Sequence, residues 1–216
     1  MKPLINAVLW DFGGVITSSP FEAFNKFESE NNIPLDFIRL VNAENHERNA
    51  WAQLESSEVT LDEFDVLFRQ ETKLKGYEIS GKEVIDLLSG DIRPSMVKAL
   101  QKIAEKYAVG CITNNVNSGQ GPGMAKTEKK ANQIQEVMSS FGTIIESSKV
   151  GMRKPDPRIY QLACEKMRVS PKECIYLDDL GINLKPARAL GMITIKVISA
   201  EQAISELEHH LSIRLA

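Results

Sequence analysis

Four short stretches of this 216-residue chain carry side chains able to do chemistry, and each sits at the end of an apolar run or beside a stiffened backbone. Asp11 closes Ala7-Val8-Leu9-Trp10 and is followed by Phe12-Gly13-Gly14-Val15, a tight glycine turn expected to leave a carboxylate exposed at the sheet's edge. Cys111-Ile112-Thr113-Asn114 ends a second apolar run in a hydroxyl and an amide that could hold a phosphate oxygen. Lys154 lies in Val150-Gly151-Met152-Arg153-Lys154-Pro155-Asp156-Pro157, where an ammonium could neutralise both a carboxylate and a phosphoryl group. Tyr176-Leu177-Asp178-Asp179 ends a strand in two adjacent acids, whose repulsion is easiest to explain by a hard, oxygen-seeking cation such as magnesium. Taken singly, each stretch has an ordinary alternative: a turn or cap aspartate, a turn, a solvated lysine.

The elements that must position these groups follow from periodicity. Val109-Gly110-Cys111-Ile112, Thr143-Ile144-Ile145, Cys174-Ile175-Tyr176-Leu177 and Ile193-Thr194-Ile195 join the run ending at Trp10 as short strands alternating with helical stretches, which predicts a parallel sheet covered on both faces. Ligands in such sheets sit at the carboxyl ends of the strands, where Asp11, Thr113, Asp178 and Asp179 fall. From about Thr17 to Ile92 the alternation stops. Ser19-Pro20-Phe21-Glu22, Thr60-Leu61-Asp62-Glu63 and Ser80-Gly81-Lys82-Glu83 are helix starts of the hydroxyl-x-x-Glu form. The fold class expected is α/β: a doubly wound, Rossmann-like parallel-sheet core from residues 1–16 and 93–216, with an all-helical cap of residues 17–92 inserted after the first strand. Pro94, Asp156-Pro157 and Ser199 mark later helix starts, and Ser170-Pro171-Lys172-Glu173 caps a turn.

Composition narrows the function. With 26 Lys+Arg against 29 Asp+Glu and a net charge of -3, the chain carries no basic field for nucleic acid. No apolar run approaches membrane-spanning length, and Met1-Lys2-Pro3-Leu4-Ile5-Asn6 shows no cleavage-site pattern. Cys111, Cys164 and Cys174 have no paired or metal-ligand spacing, which suits a reducing compartment. The expectation is a cytoplasmic protein acting on a small phosphorylated metabolite, with no nucleic-acid or membrane partner and with a homodimer left open.

In order, strand-Asp, strand-Thr, Lys-Pro and strand-Asp-Asp resemble the four motifs of the haloacid dehalogenase superfamily across nearly the whole chain. The stretches around Lys154 and from Leu177 to Arg188 look most like the N-terminal phosphatase domain of soluble epoxide hydrolase and its stand-alone relatives. The resemblance implies a magnesium-dependent phosphatase in which Asp11 attacks phosphorus and forms an aspartyl-phosphate. Thr113 and the amide of Asn114 would hold phosphoryl oxygens, and Lys154 would orient Asp11 and offset charge. Magnesium would be held by Asp11, the carbonyl of Gly13 and Asp179, with Asp178 acting through water or from behind, and Asn183 orienting the loop.

One position departs from that pattern. Most phosphatases of the superfamily carry a second Asp two residues after the nucleophile, where this chain has Gly13. Glycine keeps a carbonyl for metal and loses the proton donor, an effect typically worth about a hundredfold to ten-thousandfold in rate. A haloacid-type dehalogenase, whose departing halide needs no proton, is the alternative, although the paired Asp178 and Asp179 argue for phosphate and metal. A catalytically weakened scaffold that binds phosphorylated ligands is the third reading. The glycine-rich stretch 117–127 lacks the glycine a phosphate-binding loop places before its lysine and reads as a surface loop. His46 could face substrate from the cap, though solvent exposure is the commoner fate, and Trp51 and Phe64 are expected to pack the cap.

Overall fold

The computed structural model describes residues 4–116 and 127–215. Met1, Lys2 and Pro3 and the glycine-rich stretch 117–126 lie outside the described residues.

Five strands, β1 (Ala7–Trp10), β2 (Ala108–Thr113), β3 (Thr143–Glu146), β4 (Cys174–Asp178) and β5 (Ile193–Lys196), form one sheet in the order β3-β2-β1-β4-β5. Every neighbouring pair is parallel. A parallel sheet must be covered on both faces, and alternation along β1 sorts its side chains accordingly. Val8 and Trp10 join Leu100, Ile103, Ile134 and Leu207 on one face, beneath α6 (Pro94–Ala104), α7 (Glu128–Met138) and α11 (Ala200–Leu211). Ala7 and Leu9 join Ile159, Tyr160, Ala163 and Leu184 on the other, beneath α9 (Pro157–Met167) and α10 (Gly181–Ala189). All four residues of β1 are fully buried, as the central strand requires.

Five helices stand between β1 and α6: α1 (Pro20–Glu30), α2 (Phe37–Ala43), α3 (Ala50–Glu55), α4 (Leu61–Lys73) and α5 (Gly81–Asp86). A short helix, α8 (Ser147–Val150), follows β3. Helices α1 to α5 bury an apolar cluster of their own, including Phe24, Ile38, Phe64, Phe68 and Val84. The caps read from sequence form: Ser19 accepts from the Phe21 amide, Thr60 and Glu63 make a reciprocal box, and Ser80 accepts from the Glu83 amide. Trp51 and Phe64 pack edge to face within this unit, with ring centroids 5.6 Å apart. The chain enters and leaves it through two antiparallel segments, bridged at Thr17 and Ile92 and bonded from Ser18 N to Asp91 O (2.7 Å) and Arg93 N to Ile16 O (2.8 Å).

Among the described residues no helix is long and apolar enough to cross a membrane. All three cysteines are buried thiols, and the fold brings Cys164 and Cys174 to a sulfur separation of 3.9 Å, a proximity their spacing did not suggest.

Candidate active site

Sheet order decides where a ligand fits. The chain builds outward from β1 through β2 to β3, then returns to place β4 on the other side of β1, so a crevice opens beyond the carboxyl ends of β1 and β4. Asp11 follows β1 directly, and its amide donates to Leu177 O at 2.8 Å. Asp178 ends β4, and Asp179 comes next. The three carboxylates therefore meet, each offering an oxygen within 4.8 Å of the others.

Lys154 joins them from the loop before α9. Its ammonium lies 2.8 Å from Asp11 Oδ1 and 2.8 Å from Asp178 Oδ2, and 5.9 Å from the centre of the Tyr176 ring. Burial alone would lower the pKa of this lysine; Asp11 and Asp178 more than reverse that, so its pKa stands above the ordinary value and it stays an ammonium. For Asp11, burial raises the pKa well above the usual carboxylate range, the Lys154 charge opposes this, and Asp178 and Asp179 reinforce it.

Adjacent in sequence, Asp178 and Asp179 differ in surroundings. Asp178 is fully buried and saturated. Its Oδ1 accepts from the Leu180 amide (2.8 Å) and Asn183 Nδ2 (3.1 Å), and its Oδ2 from Lys154, Asn183 Nδ2 and the Tyr176 hydroxyl. Asp179 lines the cavity, with Ser19 Oγ 3.4 Å from its Oδ2. Burial and the neighbouring Asp178 push the Asp179 carboxyl up to about 6. Gly14 makes this approach possible: with φ at +73°, a Cβ there would stand 2.3 Å from Asp179 Oδ2.

These residues suit a divalent cation. The candidate donors are all oxygens, the repulsion that adds to burial in raising Asp11 and Asp179 is what such an ion removes, and Asp179 has capacity to coordinate that Asp178 has already spent. Gly13, Thr113 and Asn114 line the same cavity of about 470 Å³. Thr113 is buried at the end of β2. The Asn114 side chain bonds the backbone of Lys154 in both directions, accepting from its amide (2.8 Å) and donating to its carbonyl (3.1 Å). His46 is half-buried against the cavity rather than solvated.

Three participants escaped the sequence reading. Tyr176 stands two residues before Asp178, so strand alternation puts both on one face, and that spacing could have pointed to it. Arg153 and Glu55 meet across the cavity wall, Nε to Oε2 at 2.6 Å. No local signal in the sequence pairs residues so far apart.

The model of the family described as haloacid dehalogenase-like hydrolase matches residues 5–191. Acyl-CoA dehydrogenase family member 10 of Mus musculus is 31% identical over 94% of this chain and 19% of its own length. Bifunctional epoxide hydrolase 2 of Sus scrofa is 30% identical over 98% of this chain and 40% of its own. The chain thus spans about a fifth and two fifths of the length of those relatives. Among solved structures, the HAD family enzyme BT-2542 of Bacteroides thetaiotaomicron, in complex with magnesium and inorganic phosphate, superposes with a TM-score of 0.61 at 24% identity, covering 94% of this chain and 98% of that one. At that identity the likeness establishes the fold.

Proposed function

Because the chain belongs to the haloacid dehalogenase-like hydrolases, we propose that it is a magnesium-dependent phosphatase that hydrolyses a small phosphomonoester through an aspartyl-phosphate on Asp11. The observation that carries this reading is the single Lys154 ammonium held 2.8 Å from both Asp11 and Asp178, beside a third carboxylate, Asp179. BT-2542, with its bound magnesium and phosphate, supports the choice of ion and substrate class.

Each residue then has a task. A free Asp11 oxygen attacks phosphorus while Lys154 holds the carboxylate in place and offsets phosphoryl charge. Thr113 and the Asn114 amide hold the equatorial oxygens. Asp11, Asp179 and the Gly13 carbonyl would hold magnesium, which supplies charge neutralisation where carboxylates and phosphoryl oxygens crowd together. Asp178, with its lone pairs already engaged, fixes Lys154 and the loop through Asn183. Water then cleaves the acyl phosphate, releasing inorganic phosphate and restoring Asp11. Residues 17–92 act as a cap whose Phe21, Phe24 and Trp51 line the cavity and select the organic part of the substrate.

The leaving oxygen must take a proton, and position 13 offers none. A substrate with a good leaving group, such as an acyl phosphate or an anomeric sugar phosphate, needs that proton least. Gly13 is also what favours the second reading, a haloacid-type dehalogenase, while the acidic pair at the end of β4 weighs against it. A panel of phosphorylated metabolites, assayed with and without magnesium beside Asp11→Asn and with a haloacid as control, separates them. Phosphate release that needs both metal and Asp11 supports the phosphatase. Metal-free halide release supports the dehalogenase, and ligand binding without turnover supports a scaffold.

A further inference from the structure

Glu55 ends α3 and is buried where the helical unit meets the sheet. Its Oε1 accepts from the Trp51 indole at 3.1 Å. Its Oε2 accepts from Arg153 Nε at 2.6 Å and from Asn114 Nδ2 at 3.2 Å. Arg153 also reaches back to the helical unit, donating through Nη1 to His46 O at 2.7 Å. Exposed ion pairs contribute little, but this one is largely withdrawn from water, with side-chain exposures of 20% for Arg153 and 11% for Glu55.

The consequence lies one bond further on. Asn114 has two amide protons: one goes to Glu55 and the other to the Lys154 carbonyl, while its oxygen takes the Lys154 amide. A continuous path therefore runs from α3, through Glu55 and Asn114, to the backbone of the lysine whose ammonium touches Asp11. Glu55 itself touches no reacting atom. A neutral isostere weakens the path: whichever way an amide at this position turns, its nitrogen faces an arginine or an indole that can only donate, and the charge that holds Arg153 is gone.

We propose that Glu55 is a positioning residue that couples docking of the helical unit onto the sheet to placement of the Lys154 ammonium on Asp11. Its kinetic consequence rests on Asp11 being the nucleophile; the coupling does not. With Glu55 engaged, the Lys154 backbone is clamped on both sides and the ammonium is held in register. With Glu55 released, Asn114 loses one partner, Arg153 is freed, and the lysine loop relaxes together with the helical unit.

The test uses the full chain and two variants, Glu55→Gln and Glu55→Ala. Acetylation of Lys154 by acetic anhydride, mapped by peptide mass spectrometry, reads its placement without any turnover. Lys154 is 1% exposed and should resist the reagent in the native protein; several-fold faster labelling is expected in both variants, with exposed Lys26 and Lys73 unchanged. The buried Cys111 thiol is the fold control, and should Glu55→Ala lose its protection, the isosteric Glu55→Gln carries the test. Undiminished protection of Lys154 in a variant that keeps Cys111 protected overturns the proposal. In steady state, kcat should fall about tenfold to a hundredfold, as expected for a misplaced catalytic group, with KM changed less than about threefold. Introduced into Asn114→Ala, the same substitution should cost nothing further, because the path is already cut; fully additive losses overturn the proposal. Should the wild-type chain release phosphate from no substrate, the reading of function falls on its own, and Lys154 labelling still decides the coupling.

Discussion

The Lys154 ammonium sits 2.8 Å from the Asp11 carboxylate, and both side chains are buried. Removing the two partners should have unequal effects. Lys154→Met leaves Asp11 and Asp178 without their shared cation, and breaking a buried pair in this way costs about 3–5 kcal/mol. Asp11→Asn removes a carboxylate that burial and two neighbouring acids already disfavour as a charge, so its stability should stay within about 1 kcal/mol of wild type. Urea unfolding of the metal-free proteins measures the difference, and phosphate release should be lost in both. Equal destabilisation would show that the ammonium does not hold the carboxylates together.

Gly13 and Gly14 are adjacent, yet substitution should act on them in opposite ways. A Cβ at Gly13 meets nothing within 4 Å, whereas one at Gly14 collides with the Asp179 carboxylate and needs a left-handed backbone. Gly13→Asp is therefore expected to fold normally and to raise turnover on alkyl phosphates by about a hundredfold, with little change on acyl phosphates, whose leaving group needs no proton. Gly14→Ala should displace Asp179 and abolish the response to magnesium. Comparing kcat on the two substrate types reads the first effect, and a magnesium titration followed by thermal shift reads the second.

Three carboxylates each offer an oxygen within 4.8 Å of the others, and a cation bound there by the folded state alone should raise the melting temperature. Magnesium at a hundred times its dissociation constant corresponds to about 2.7 kcal/mol. Asp179→Asn should melt higher than wild type in chelator, because burial and Asp178 penalise the ionised group it replaces, and should no longer respond to magnesium. Asp178→Asn should instead melt lower, since it leaves Lys154 and Tyr176 with a poorer acceptor. Differential scanning fluorimetry with and without EDTA distinguishes these cases.

Much of this arrangement is legible in the chain. Strand ends could be read because short apolar runs stop at polar residues, and the sheet then brings Asp11, Thr113 and Asp178 to one edge without any specific long-range signal. Helix starts at Ser19, Thr60 and Ser80 were visible because capping is a contact within three residues. What stayed hidden depends on pairing across the fold. No motif singles out Glu28, which is fully buried in α1, where its carboxylate accepts from the amides of Asp36 (2.7 Å) and Ile38 (2.8 Å) and so secures the start of α2. Glu55 and Arg153, 98 positions apart, could be joined only once the helical unit was seated on the sheet. The division of labour between Asp178 and Asp179 is likewise tertiary, set by Tyr176, Asn183 and Lys154 converging on the first of them.

The helical unit should also have an acid sensitivity of its own, centred on Asp65 in α4. Burial by itself would raise this carboxyl. Hydrogen bonds from Arg69 Nε (2.9 Å), the Lys82 amide (3.1 Å) and Ser80 Oγ (2.8 Å) overcome that and hold it at about 2, below its ordinary 3.8. Two of those donors belong to the start of α5, so the ionised carboxylate ties α5 to α4 and satisfies an amide that the helix leaves free. Because the pKa is depressed in the folded state, the unfolded chain takes up the proton first as pH falls. The stabilisation is complete above about pH 4 and is lost as pH drops toward 2, amounting to about 2 kcal/mol at most. Asp65→Asn should be less stable than wild type at pH 5, and the difference should shrink steadily between pH 4 and 2. Urea midpoints of the two proteins at pH 5, 3.5 and 2.5 check this, and a gap that stays constant over that range would mean that the Asp65 charge contributes nothing to holding α5 in place.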